Sequence, residues 1–161
     1  AKFICGGYQG TSSTILAYST DAVTWTACTI TGVTLASNVN VTALSYNGVD
    51  KYVCACKYPD HILTSSDGIT WARNSYSSTI SGDVWAGIAN NGGNLWVISA
   101  ENTATSTDNG VTWTTTKTAD QGCNSVIYQN GSFTIADFHG QIHKNATPSP
   151  EEKSIPGGRI R

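Results

Sequence analysis

Three aspartates recur in one short sequence phrase, and a carboxylate repeated in this way could either be catalytic or hold a turn. Asp21, Asp67 and Asp108 each follow a serine by two residues and precede a Thr-Trp pair. The complete phrases are Ser19–Trp25, Ser65–Trp71 and Ser106–Trp113. An aspartate followed by Gly or Asn-Gly can fold its carboxylate back onto backbone N–H groups, which favours a tight turn. The Thr and Trp that follow favour a strand.

The spacing of these phrases predicts a repeated structural unit. Their tryptophans lie 46 and 42 residues apart, a period typical of solenoids, propellers and arrays. Asn-Gly pairs between apolar runs predict additional tight hairpins. These pairs begin at Asn47, Asn91 and Asn130. Each unit is therefore predicted to hold four antiparallel strands in 40-odd residues, which matches one propeller blade.

The phrase Ser-x-Asp-x-Gly-x-Thr-Trp resembles the Asp-box, or BNR repeat, of sialidase-like β-propellers, over residues 1 to about 145. Asn109 and Gly110 make the third copy a full match. The first two copies are one residue shorter, and Ala22 replaces the glycine in the first. The resemblance implies a structural turn that lies far from the ligand-binding face. The residues expected to be structural are Ser19, Asp21, Trp25, Ser65, Asp67, Trp71, Ser106, Asp108, Gly110 and Trp113.

The predicted fold is all-β and β-propeller-like, with about three and a half four-stranded antiparallel blades, which makes the propeller incomplete. The first unit begins at its second strand, and the fourth unit lacks its Asp turn. Open ends of this kind invite pairing. Either the remaining blades of a larger chain complete the ring, or other copies do, or the last unit lends strands to the first. The absence of methionine favours a processed or excised product.

Two segments differ in composition. Residues 1–146 are assigned to the Asp-box blades, and residues 147–161 to a Pro/Gly-rich C-terminal tail. Pro148, Pro150 and Pro156 oppose regular structure in that tail. The tail is therefore expected to be either a linker or an arm that docks on a neighbouring copy.

The composition also limits the choice of partners. Only 12% of the residues are charged and the net charge is −2, so nothing favours binding to nucleic acid or to an anionic membrane. The sequence contains no apolar stretch near the length of a membrane span, so we expect no membrane insertion. We also expect no cofactor.

The cysteines and histidines do not have the spacing of a metal site. Cys5 and Cys54 hold equivalent positions in successive units, which predicts burial as small apolar residues. Cys54 and Cys56 are predicted to share one strand face. The odd count of five cysteines argues against a complete disulfide framework, although one disulfide stays open. His139 and His143 could share a face of one strand, where a surface pair is favoured over a metal site.

The resemblance to sialidases implies glycoside hydrolysis by an arginine triad and a Tyr–Glu pair, so the sequence is searched for these residues. Arg73 is the one arginine outside the tail, and Glu101 is the one glutamate outside it. No carboxylate pair with distinct acid and base environments emerges. The histidines, His61, His139 and His143, are assigned to connections between strands. The sequence therefore predicts no enzyme activity and no catalytic residue.

Binding is the function class that the sequence favours. Exposed aromatic residues on a rigid β scaffold suit sugar stacking. The candidate ligand-binding residues are Tyr8, Tyr58, Tyr76 and Trp85, and each of them could instead pack between blades. The composition is similar to that of the distal domains of phage tail fibres and spikes and of bacterial adhesins. We expect a non-catalytic glycan- or receptor-binding module at an extracellular or virion surface, and the alternatives are a structural subunit of a fibre, shell or filament, or a glycosidase fragment.

Overall fold

The computed structural model describes residues 2–8, 14–32, 39–57, 61–74, 86–99, 102–117, 122–137 and 139–144. Within these ranges the regular structure consists of β-strands. The strands are β1 (Phe3–Gly6), β2 (Leu16–Ser19), β3 (Thr26–Ala27), β4 (Thr29–Thr31), β5 (Asn40–Tyr46), β6 (Tyr52–Lys57), β7 (His61–Ser65), β8 (Thr70–Arg73), β9 (Gly87–Asn90), β10 (Trp96–Ser99), β11 (Asn102–Ser106), β12 (Thr114–Lys117), β13 (Cys123–Gln129), β14 (Ser132–Asp137) and β15 (Ile142–Lys144). The described part of the chain has no helix long and apolar enough to cross a membrane.

The strands form four sheets that follow one another along the chain. Sheet I has the order β1-β2-β3, sheet II β4-β8-β7-β6-β5, sheet III β12-β11-β10-β9, and sheet IV β13-β14-β15. All neighbours are antiparallel except β4 and β8, which run parallel. The prediction of all-β, antiparallel units is confirmed. The first unit indeed begins at its second strand, and the described part of the fourth unit contains three strands.

The Asn-Gly pairs form the first hairpins of sheets II, III and IV, as the sequence predicts. The Asn47 side chain accepts bonds from the N–H groups of Val49, Asp50 and Lys51, each at 3.0 Å. Gly48 follows with φ +83°, a left-handed conformation that a side chain disfavours. Local side-chain bonding therefore fixes the turn and, through it, the register of the two strands.

The core consists of three clusters of buried apolar side chains, one between each pair of consecutive sheets. Leu16 of sheet I packs with Leu63 and Trp71 of sheet II. The next two clusters join sheet II to sheet III and sheet III to sheet IV, and they include the buried Trp96 and Phe133. The sheets are therefore stacked face to face in chain order, and each one is covered by its neighbours in sequence.

One strand departs from the predicted pattern. After the first Asp turn, Cys28 still donates its N–H to Leu16 of sheet I, whereas Thr29 donates to Ile69 of sheet II, each at 2.9 Å. The chain thus changes sheets between two adjacent residues and continues as β4 along the outer edge of β8. This crossing covers an edge that would otherwise lie open.

Candidate functional site

The three Asp turns share one hydrogen-bonding pattern. In the second turn the Asp67 Oδ1 atom accepts bonds from the N–H groups of Ile69 and Thr70, both at 2.8 Å, and from the Ser65 hydroxyl at 2.9 Å. The Asp21 and Asp108 carboxylates accept the equivalent backbone and serine bonds. The prediction that each carboxylate bonds to turn N–H groups is confirmed. These carboxylates are committed to the turns that hold the strands.

The electrostatics of the turns follow from these bonds. Backbone N–H donors lower the pKa of Asp21 and Asp67 from 3.8 to about 2. For Asp108 the hydroxyl of Thr112 is the largest cause, and the pKa again falls to about 2. A carboxylate with such a pKa stays ionised at neutral pH, where it is an acceptor only and a poor general acid.

The second and third turns also join their sheets to the sheet before. Lys2 of sheet I donates to the carbonyl oxygen of Asp67, and the Cys28 thiol donates to that of Gly68 at 3.5 Å. A Cβ added to Gly68 would lie 2.9 Å from Ile4 Cδ1 and 3.3 Å from the Tyr52 ring. The turn therefore packs closely against sheet I at this residue, and an added side chain would require Ile4 to shift.

Asn109, the extra residue of the third turn, is a connector that the sequence analysis did not single out. Its Oδ1 atom accepts bonds from the Trp96 indole at 3.2 Å and from the Asn47 amide at 3.3 Å. Its Nδ2 group donates to Asp50 Oδ1 at 3.3 Å. These bonds link sheet III to the first hairpin of sheet II. The pKa of Asp50 is lowered first by the Asn47 amide, which donates to Asp50 Oδ1 at 3.0 Å, and then by the Asn109 amide. The signal available in the sequence was the length of this turn, which exceeds the other two by one residue.

The tryptophans that end the turns do not share one environment. Trp71 and Trp113 are buried, as predicted, whereas Trp25 is 44% exposed. Because the three tryptophans hold the same position in the repeated phrase, they are expected to pack in equivalent sites, and this expectation is wrong for Trp25. The same holds for Cys5, which is exposed although its repeat equivalent Cys54 is buried. Both residues face away from sheet II, and none of the described residues covers that side of sheet I.

The strand ends opposite the Asp turns form a second edge, which we name the loop edge. β1 begins at Phe3, which pairs with the turn residue Ser19, and runs toward the loop edge. β6 begins at Tyr52, which pairs with the turn residue Ser65, and runs in the same direction. Tyr8 follows β1 at this edge and is 60% exposed, with a backbone bridge to Asn40. Tyr58, Tyr76 and Trp85, the other candidate ligand-binding residues, lie outside the described residues.

An Asp–His pair at the loop edge of sheet IV was not anticipated. Asp137 Oδ1 accepts bonds from the N–H groups of His139 at 2.9 Å and Gln141 at 2.8 Å, and Asp137 Oδ2 lies 3.1 Å from His143 Nε2. The bond with His143 is the largest cause that lowers the pKa of Asp137. The predicted pairing of the two histidines on one strand is wrong, because His139 lies in the turn before β15. His61 and His143 lie in strands rather than in connections.

The remaining candidate groups give no constellation for catalysis or metal binding. No group of three or more His, Cys, Asp or Glu side chains among the described residues is placed to hold a metal ion. All five cysteines are free, and the Sγ atoms of Cys54 and Cys56 lie 3.7 Å apart, which confirms that they share a face. Arg73 is exposed on β8. Glu101, Arg159, Arg161 and the tail from residue 147 lie outside the described residues.

Four antiparallel sheets stacked in chain order and connected by repeated turns define an incomplete β-propeller. The fold is similar to that of a solved β-propeller structure described as YCF48 bound to D1 peptide, with a TM-score of 0.57 and 17% sequence identity. The match covers 65% of this chain and 37% of that chain, so the matched part is well under half of the other protein. No family model and no curated protein matches the sequence.

Proposed function

We propose that the chain is a non-catalytic binding module that recognises a surface glycan or a receptor through the loop edge. The observation that carries this proposal is the contrast between the two edges. The carboxylate Oδ1 atoms of the Asp turns are engaged by their own turns, and the second and third turns also bond to the preceding sheet. At the loop edge, Tyr8 exposes 60% of its surface at the end of a rigid strand. An aromatic ring held in this way suits stacking on a sugar ring or on an apolar receptor side chain.

The absence of catalysis is part of the proposal. Each repeated aspartate has Oδ1 engaged by two backbone donors, and its lowered pKa makes it a poor proton donor at neutral pH. The one arginine among the described residues, Arg73, is an exposed strand residue, whereas a carboxylate-binding arginine cluster needs several convergent side chains.

An extracellular or virion-surface location is proposed with it. The low charge and the abundance of Ser, Thr, Asn and Gly support a surface-display role over binding to nucleic acid. The similar solved propeller is described as bound to a peptide, which supports a protein receptor as the alternative ligand to a glycan. A structural subunit is the second candidate function, and the exposed apolar side chains at both ends of the sheet stack favour it.

The test is a binding screen with matched variants. The 161-residue chain is applied to a glycan array and to a panel of surface-protein peptides, and the strongest ligand is then titrated by calorimetry. We expect Tyr8→Ala to weaken binding by up to about tenfold, since aromatic stacking contributes about 0.5–1.5 kcal/mol, and Tyr8→Phe to retain most of the affinity. Tyr46→Ala is the control, because Tyr46 is an exposed aromatic at the Asp-turn edge. Equal losses in the Tyr8→Ala and Tyr46→Ala variants would contradict a site at the loop edge.

A further inference from the structure

Each sheet of the stack presents one face to the sheet before it and the other face to the sheet after it. We name these the front face and the back face. The front faces of sheets II and III are made of side chains at matching positions, which lie in the clusters between the sheets. In sheet II they are Tyr52, Cys54, Leu63 and Trp71, and in sheet III they are Trp96, Ile98, Ala104 and Trp113.

Strand register identifies the same positions in sheet I. Phe3 pairs with the turn serine Ser19, as Tyr52 pairs with the turn serine of sheet II. Two residues further along β1, Cys5 pairs with Ala17. In sheet II the equivalent pair is Cys54 and Leu63. The front face of sheet I therefore consists of Phe3, Cys5, Ala17 and Trp25.

This front face has the composition of an interface but is uncovered. Phe3 is 46% exposed and Trp25 is 44% exposed, whereas Trp96 and Trp71 at the same positions are fully buried. A cavity of about 180 Å³ is lined in part by Cys5 and Ala17 of this face, together with Gly7. Exposed aromatic side chains grouped in this way mark an interaction surface.

Sheet IV presents the complementary back face. In sheet II the back face that receives sheet III includes Ala55, which pairs with Ile62. In sheet IV the same pairing joins Ala136 and Ile142. Ile142 on β15 is 66% exposed, and Ile127 on β13, across β14 from β15, is exposed as well. Ile127, Ala136 and Ile142 thus contribute apolar side chains to the back face of sheet IV, beside polar residues such as Thr134, and none of the described residues covers this face.

We infer that the front face of sheet I binds the back face of sheet IV of a second copy of this chain. Every interface within the chain joins a front face to the back face of the preceding sheet, and these two are the front and back faces left unmatched among the described sheets. The second copy is the occupant because it carries the one back face that continues this established pattern. The contact is head-to-tail, so a ring forms where the rotation closes.

The number of sheets in such a ring agrees with a second copy as the occupant. Each copy contributes four sheets, and two copies contribute eight, which lies within the four to eight blades that propellers contain. Two copies joined head-to-tail form two identical contacts, so neither a front face nor a back face remains uncovered. This assembly does not depend on the ligand proposed for the loop edge, since the two features lie on different surfaces.

The test measures the mass of the 161-residue chain by light scattering and sedimentation over a hundredfold range of concentration. A two-copy species is expected. Trp25→Asp places a charge in the front face, and Ile142→Asp places a charge in the back face. Each variant should weaken association at least a hundredfold. Val49→Asp is the control, because Val49 is exposed on a hairpin of sheet II away from both faces, and it should leave association unchanged. Circular dichroism melting confirms that each variant is folded.

Mixing the two interface variants distinguishes the proposed contact from a symmetric one. The Trp25→Asp chain keeps its back face and the Ile142→Asp chain keeps its front face, so the mixture should form a heterodimer through one intact contact. A front-to-front dimer would be insensitive to Ile142→Asp, and mixing would restore nothing. Either of those results would overturn the inference. A wild-type chain that stays monomeric over the whole concentration range would also overturn it, and this is the result expected if the missing blades belong to a longer polypeptide.

Discussion

Trp25 and Trp71 end the Asp turns of neighbouring sheets, yet Trp71 is fully buried and Trp25 is 44% exposed. Trp71 points toward the preceding sheet I, and Trp25 lies on the equivalent face of sheet I. Sheet I covers Trp71, whereas no described sheet covers Trp25. The short phrase therefore determines the turn, and the neighbouring sheet determines how much the tryptophan contributes to stability.

We predict that Trp71→Ala and Trp25→Ala have very different effects on folding. Removing Trp71 empties the core between sheets I and II, which should lower the free energy of unfolding by about 3–5 kcal/mol. Trp25→Ala should cost about 1 kcal/mol or less at concentrations where the chain is monomeric. Urea denaturation followed by circular dichroism measures both. Equal costs would mean that the two tryptophans are covered to the same extent.

The two buried tryptophans offer a second comparison. The Trp113 indole donates to the Gly110 carbonyl at 3.1 Å, whereas among the described residues the buried Trp71 indole N–H has no oxygen or nitrogen acceptor and interacts only with the Cys28 thiol, a weak acceptor. Replacement by Phe removes a full hydrogen bond at residue 113 and a poorly satisfied donor at residue 71. We expect Trp113→Phe to be more destabilising than Trp71→Phe by about 1 kcal/mol. A larger loss at Trp71 in urea denaturation would contradict this expectation.

Acid should destabilise the fold through the Asp turns. The pKa of Asp67 in the folded chain is about 2, below its ordinary value of 3.8. A group with a lowered folded pKa contributes stability above its unfolded pKa, and this contribution is lost as the pH falls through the folded pKa. The melting temperature should therefore fall between about pH 4 and pH 2. Asp67→Asn should lower it at neutral pH and reduce its dependence on pH, and a variant with the full wild-type pH dependence would argue against a role for this carboxylate.

The fit of Gly68 against sheet I can be separated from its backbone conformation. Gly68 and Gly48 both have a left-handed φ, at +71° and +83°, but an added Cβ at Gly48 would meet open space. Gly48→Ala should cost about 1–2 kcal/mol from the backbone alone. Gly68→Ala should cost more, because its Cβ would lie 2.9 Å from Ile4 Cδ1. Thermal unfolding of the two variants tests this, and equal costs would show that the turn moves freely away from sheet I.

How much the sequence predicts differs between residues, for physical reasons. The turn at Asp67 is predictable because its bonds join residues within five positions of each other. The exposure of Trp25 and Cys5 is not, since burial depends on a neighbouring sheet and the repeat pattern assumes that one exists. The crossing of β4 and the link from Asn47 to Asn109 join distant segments, and no local pattern carries that information.

Finally, we predict that the chain does not hydrolyse sialosides. The Asp137–His143 pair is the most enzyme-like arrangement among the described residues, but Asp137 Oδ1 is held by two backbone donors and its carboxylate closes the turn before β15. Asp137→Asn should therefore lower the melting temperature and leave a panel of fluorogenic sialosides unhydrolysed, as in the wild-type chain. His143→Gln, which loses the side-chain partner but keeps the turn, is the matched control. Measurable turnover by the wild-type chain that Asp137→Asn abolishes, while the protein remains folded, would assign this pair to catalysis and contradict the binding-module proposal.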